Sequence, residues 1–123
     1  MKIKVGVFFG GKSVEHEVSV ISGIQALKSF NQEKYEPIPI YITKENEMYT
    51  GEAVGDIASY KNIPELLKKS TRIFFICEQG KVNLVQYPEK KFGNSIVDYI
   101  DVAFPVVHGA NVEDGSLQGF LRH

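Results

Sequence analysis

Two short stretches carry the residue types that chemistry needs. Residues 8–23 read FFGGKSVEHEVSVISG: two glycines, Gly10 and Gly11, then Ser13, then Glu15 and Glu17 on either side of His16. Near the other end, residues 108–121 read HGANVEDGSLQGFL, with His108 before a glycine and Glu113-Asp114 a few positions on. In the first stretch the glycines permit a tight turn and close backbone approach, and amides at the following helix start can hold an anion. Two carboxylates beside them disfavour a polyphosphate and suit a cationic group such as an amine. The stretch lacks the Gly-x-x-x-x-Gly-Lys-Ser/Thr of a Walker loop and the three glycines of a dinucleotide fingerprint. Lys12-Ser13 only imitates the former.

Each residue also has a reading without a ligand. Acidic side chains in a helix's first turn are favoured by roughly 0.3–1 kcal/mol each, which can account for Glu15 and accounts for Glu17 more readily. Ser13 suits a helix N-cap. His16 reads as a surface or supporting residue. At the second stretch, His108 can donate to an anionic group or be satisfied by nearby backbone. Asp114 and Ser116 read as helix-start residues.

The elements that must position these residues alternate between strand and helix. Residues 2–9 form a β-branched and aromatic run broken at Gly-Gly, as expected of a buried central parallel strand. Residues 14–30 have helical spacing, with ridges Val14, Val18, Ile21 and Val20, Ile24, Leu27 directed at the sheet. PIPIYIT, residues 37–43, reads as a second strand, its prolines favouring an edge or the start of the strand. A short strand is expected at 47–49 and a short proline-initiated helix at 64–69. Residues 72–78 and 82–87 form a hairpin around Gln79-Gly80-Lys81. DVAFPVV, residues 101–107, is another buried strand, and a last helix starts near Glu113 or Asp114 and includes Leu117, Phe120 and Leu121. The fold expected is α/β: a Rossmann-like open parallel sheet flanked by helices, with an added β-hairpin. Ligands of such sheets bind at the carboxyl ends of the strands, so both stretches should face one crevice.

Composition narrows the partners. The chain has 123 residues, 43% hydrophobic and 24% charged, enough for one domain with a core. A formal net charge of −1 argues against nucleic acid and against an anionic membrane surface. The one cysteine, Cys77, lies in the apolar run RIFFICEQ and reads as a buried core thiol of a reducing compartment. The start MKIKVGVFFGG does not read as a secretory signal, and no apolar run reaches the roughly 20 residues of a membrane helix. The expectation is a cytoplasmic protein.

GGKSVEHEVSVISG and AFPVVHGANVEDGSLQGFLR, taken together, closely resemble the amino-terminal domain of the D-alanine:D-alanine ligases and their D-alanine:D-lactate or D-serine relatives, which are ATP-grasp enzymes of peptidoglycan precursor synthesis. Gly10, Gly11, Ser13, Glu15, Glu17, Val18 and Ser19 meet the first motif, and His108, Gly109, Glu113, Asp114, Gly115, Gln118 and Gly119 meet the second. Val112 departs from it, standing where the family usually has glycine, which leaves the path of that loop and the placement of Glu113 open.

The resemblance implies roles. Glu15 would bind the ammonium of the first D-alanine, and His108 would lie near its carboxylate or acyl phosphate. Gly10, Gly11 and Ser13 would line the subsite, with Glu113 and Ser19 in support. An amino acid carries one cation and one anion, which an acid and a histidine on neighbouring loops complement. In the implied reaction ATP phosphorylates the first D-alanine, and the amine of the second displaces phosphate from the acyl phosphate, with magnesium neutralising the phosphates. ATP, Mg2+ and the second substrate would be held by central and carboxyl-terminal ATP-grasp domains that this sequence does not contain. Residues 1–123 are thus expected to be the amino-terminal substrate-binding domain of a homodimeric ligase, inactive alone. A free-standing flavodoxin-like nucleotide-binding module and a structural oligomerisation domain account for the same fold, but not for two acidic glycine loops matching one family in order.

Overall fold

The computed structural model describes residues 2–11 and 16–106. They form one seven-stranded sheet, and the element order is β1 (Ile3–Gly10), α1 (His16–Ser29), β2 (Tyr35–Ile42), β3 (Met48–Thr50), two 3-10 turns (Glu52–Gly55 and Ile57–Lys61), α2 (Ile63–Lys69), β4 (Thr71–Glu78), β5 (Lys81–Gln86), β6 (Ile96–Ile100) and β7 (Val102–Val106). Across the sheet the order is β6-β5-β4-β3-β2-β1-β7. β1 is central to a parallel trio, pairing with β2 on one side and β7 on the other. The remaining pairings, from β2–β3 through β5–β6, are antiparallel. The α/β open sheet is therefore mixed: its parallel part is three strands wide, and the expected hairpin β4–β5 sits within a four-stranded antiparallel extension.

Strand alternation divides the core in two. Val5, Val7, Phe9 and Tyr41 point to one face, where Val20 and Ile24 of α1, Val54 and Leu66 of α2 cover them. Phe8, Ile38, Ile40 and Ile42 point to the other, where Met48, Ile73, Leu84 and Ile100 complete the cluster. No helix contributes to this second cluster among the described residues; the antiparallel strands curl over it instead. The curl shows in the connectivity, because β6 and β7 lie at opposite ends of the strand order yet are separated only by Asp101. At that junction the Asp101 amide donates to the Lys4 carbonyl at 2.8 Å and its carboxylate accepts from the Lys4 amide at 2.9 Å.

Local chemistry explains most boundaries. Pro37 and Pro39 sit in an interior strand, but β3 pairs only with Ile40–Ile42, so the missing N–H groups fall where β2 has no neighbour on that side. The β4–β5 turn has positive φ at Gln79 (50°) and Gly80 (80°), the two-residue geometry that matches strand twist. Asn62 caps α2 by accepting from the Glu65 amide at 3.2 Å, and Pro64 lies in the helix's first turn, where no N–H is required. Helix α1 lies close against β1: a Cβ on Gly23 would stand 2.3 Å from Cγ of Phe9.

Four expectations need correction. Cys77 is exposed, not buried: β3 pairs only with Thr71–Ile73 of β4, so beyond Ile73 that strand has β5 as its one partner and leads out to the turn. On α1, Val20 and Ile24 pack into the core, but Val18 and Ile21 are each 50% exposed, so only one of the two ridges faces the sheet. β7, expected to be buried, has no buried residue, with Val102 51% and Phe104 44% exposed, because it is the end strand of the sheet and pairs only with β1 among the described residues. The strand β6 and the two 3-10 turns were not foreseen. The carboxyl-terminal helix expected from Glu113 or Asp114 lies outside the described residues.

Candidate functional site at the carboxyl edge of the parallel strands

β1 and β7 run side by side in parallel, with Phe9 level with Val106, so the chain leaves both strands at the same sheet edge. Ser19 ties the two ends together. Its side chain is fully buried, its Oγ accepts from the Gly10 amide at 2.9 Å, and its hydroxyl donates to the Val106 carbonyl at 2.5 Å. A single hydroxyl thus satisfies a donor on one strand and an acceptor on the other, groups whose desolvation would otherwise be uncompensated at a cost of about 1–3 kcal/mol.

The glycine turn is fixed from the other side by β2. Gly10 and Gly11 have φ of 95° and 93°, which L side chains rarely adopt, and a Cβ on Gly10 would stand 2.4 Å from the Ile42 carbonyl oxygen. The Gly11 amide donates to that same oxygen at 2.8 Å. The Gly-Gly pair is therefore demanded by the backbone path, whatever it also does for a ligand.

His16, expected at the surface or in support, is only 6% exposed. Its Nδ1 lies 2.5 Å from the Gly11 carbonyl oxygen and its Nε2 lies 2.7 Å from the Tyr41 hydroxyl. A carbonyl can only accept, so Nδ1 carries the proton; in the neutral ring Nε2 then accepts from Tyr41. Burial, with a smaller contribution from the charge of Glu45, pushes the Tyr41 hydroxyl up to about 12, so it stays a donor at neutral pH. Tyr60 packs edge-on against Tyr41 with ring centroids 5.2 Å apart and donates to the Val54 carbonyl at 2.7 Å. Burial first, and then Tyr41, raises its pKa as well.

Beside this group lies a cleft of about 500 Å³ with His16, Val20, Tyr41, Tyr60, Ile63 and Leu67 in its wall. Glu17 and Glu45 also line it. Among the described residues no three His, Cys, Asp or Glu side chains are grouped so as to hold a metal ion, and no helix is long and apolar enough to cross a membrane.

Of the residues singled out in the sequence, Gly10, Gly11 and Ser19 meet at this edge, and Glu17 occupies the first turn of α1. Ser13 and Glu15 on the first loop, and His108 and Glu113 on the second, lie outside the described residues. The sequence reading passed over Tyr41 and Tyr60. Tyr41 carried a signal, since alternation in PIPIYIT sets it on the opposite face from Ile40 and Ile42, with α1; Tyr60 carried none.

Comparison with known proteins agrees with this arrangement. The family described as D-ala D-ala ligase N-terminus matches residues 4–123. The D-alanine–D-alanine ligase of Thermosipho melanesiensis is 41% identical over 120 residues, which cover 98% of this chain and 32% of that protein. That of Caldicellulosiruptor bescii is 41% identical over 123 residues, 98% of this chain and 31% of the relative. Among solved structures, the VanG D-Ala:D-Ser ligase from Enterococcus faecalis superposes with a TM-score of 0.72 at 30% identity, covering 98% of this chain and 33% of that one. The D-alanine–D-alanine ligase from Helicobacter pylori gives 0.71 at 28% identity, covering 97% and 35%. The chain thus spans about a third of the length of the ligases it matches. It belongs to the family of D-alanine–D-alanine ligase amino-terminal domains.

Proposed function

We propose that residues 1–123 are the amino-terminal substrate-binding domain of an ATP-dependent D-alanine–D-alanine ligase of peptidoglycan precursor synthesis, and that they supply the subsite for the first D-alanine. In this reading Glu15 takes the ammonium group and His108 faces the carboxylate or its acyl phosphate, with Gly10, Gly11 and Ser13 lining the subsite and Ser19 and Glu113 in support. The observation that supports it is the Ser19 bridge, which joins the ends of the two strands leading into the two motif loops. One small zwitterion has opposite charges a few ångströms apart, and loops leaving adjacent strand ends suit it.

ATP and Mg2+ belong to the complete enzyme. In this reading the chain's own contribution is to bind and orient the first amino acid in the cytoplasm. Homodimerisation through this domain is part of the same reading. Val18, Ile21 and Ile57 are exposed apolar residues that an interface would cover. Sedimentation of the complete enzyme should show a dimer, and a monomer at all concentrations contradicts this.

The substrate assignment is tested by two substitutions in the complete enzyme. Glu15→Gln keeps shape and removes charge, losing a charge-assisted hydrogen bond of roughly 1.5–3 kcal/mol, or about ten-fold to a hundred-fold in apparent affinity for the first D-alanine. Glu17→Gln should leave that affinity unchanged. Equal, small effects from both would return Glu15 to the role of a helix-start charge.

A further inference from the structure

We infer that His16 is a positioning residue for the first glycine loop: its Nδ1–H holds the Gly11 carbonyl, and the Tyr41 hydroxyl holds its Nε2. The inference rests on the reading of Glu15 given above. A buried aromatic ring in the wall of a cleft needs no polar atoms, and phenylalanine would fill the volume. Here both ring nitrogens are engaged, at 2.5 Å and 2.7 Å, in a residue 6% exposed.

The two bonds act on different elements. Gly11 follows directly on β1 and His16 opens α1, so the Nδ1 contact ties the end of the strand to the start of the helix. The Gly11 amide is already bound to Ile42. With its carbonyl also held, both backbone polar groups of Gly11 are fixed at a residue whose φ of 93° L side chains rarely adopt. The Tyr41 contact carries that anchorage into the sheet. It also selects the tautomer, because a hydroxyl that donates to Nε2 leaves the proton on Nδ1, where Gly11 needs it. Glu15 directly precedes His16 in the sequence, so a ring held at both nitrogens fixes the chain at the residue next to that carboxylate. Positioning of this kind acts on substrate affinity without touching substrate.

The test compares two amides in the complete enzyme. Asparagine places its amide nitrogen where Nδ1 stands and can keep the Gly11 bond; glutamine reaches to Nε2 and can keep Tyr41 but not Gly11. His16→Asn should hold the KM for the first D-alanine within about threefold, and His16→Gln should raise it about tenfold or more, with KM for ATP unchanged in both. Tyr41→Phe should fall between them. Equal KM values for His16→Asn and His16→Gln, with only thermal stability altered, would make His16 a packing residue and overturn the inference. Glu15→Gln, measured in parallel, separates the two levels: a tenfold effect there without an Asn/Gln contrast overturns this inference alone, whereas no effect there overturns the reading beneath it. Should either His16 variant fail to fold, nitrogen-15 spectra of histidine-labelled wild-type enzyme decide, since a proton on Nε2 rather than Nδ1 would contradict the arrangement.

Discussion

The parallel and antiparallel halves of the sheet solve the same problem differently. From Val5 to Gly10 every residue of β1 is buried, whereas β4 buries only Ile73 and β6 only Ile100. A strand closed on both faces, as β1 is, cannot leave its end groups to water, so its end is tied internally, by Ser19 to β7 and by His16 between the glycine turn and β2. The antiparallel half ends in solvent at Gln79-Gly80, where nothing comparable is needed. A loop leaving the first half starts from a fixed point, which is what a ligand site requires.

Removing the Ser19 hydroxyl should break this difference most visibly. Ser19→Ala strands the Gly10 amide and the Val106 carbonyl, and should cost about 1–3 kcal/mol in urea unfolding. Cys77→Ala, on the exposed stretch of β4, should stay within about 0.5 kcal/mol of wild type. Equal costs would mean that the parallel edge is no more tightly tied than the antiparallel tip.

The seam between the halves gives a smaller effect. Lys4 of β1 lies 2.6 Å from Asp98 of β6 and 3.7 Å from Glu36. Its hydrogen bond to Asp98, helped by the charges of Asp98 and Glu36 and opposed by partial burial, raises the lysine's pKa above the ordinary 10.5. Native Lys4 therefore holds its proton more tightly than the unfolded chain does. The stabilisation is complete below pH 10.5 and is lost as pH rises through the higher native value. Lys4→Met should cost under about 1 kcal/mol at neutral pH, and its difference from wild type should shrink as pH rises above 10.5. A difference that does not change with pH would show that the ion pair contributes nothing to the seam.

How much of this was legible depended on whether the cause was local. Gly10-Gly11 announced a turn because only glycine takes that backbone, and the alternation around Gln79-Gly80 announced a hairpin for the same reason. The parallel neighbours β1 and β7 were readable as apolar runs, but only β1 is buried; β7, at the end of the strand order, leaves Val102 and Phe104 exposed. What could not be read depended on distant partners. Strand β6 buries one residue and exists because β5 pairs with it. Val18 and Ile21 have helical spacing as good as that of Val20 and Ile24, and only the placement of α1, with Gly23 set against Phe9, decides between the two ridges. His16 looked like one more polar residue between two acids, and its burial depends on Tyr41, 25 positions away. The residues proposed to bind the substrate were singled out by the resemblance of their two motifs to one family.

The central claim is that two loops leaving adjacent strand ends enclose one amino acid. A crystal structure of the complete enzyme with D-alanine tests it most directly. The account predicts the ammonium nitrogen about 2.7–2.9 Å from a Glu15 carboxylate oxygen, with the substrate carboxylate on the side of His108. D-alanine bound away from the carboxyl edge of β1 and β7, or bound there with its ammonium held by other residues and Glu15 turned to solvent, would contradict it.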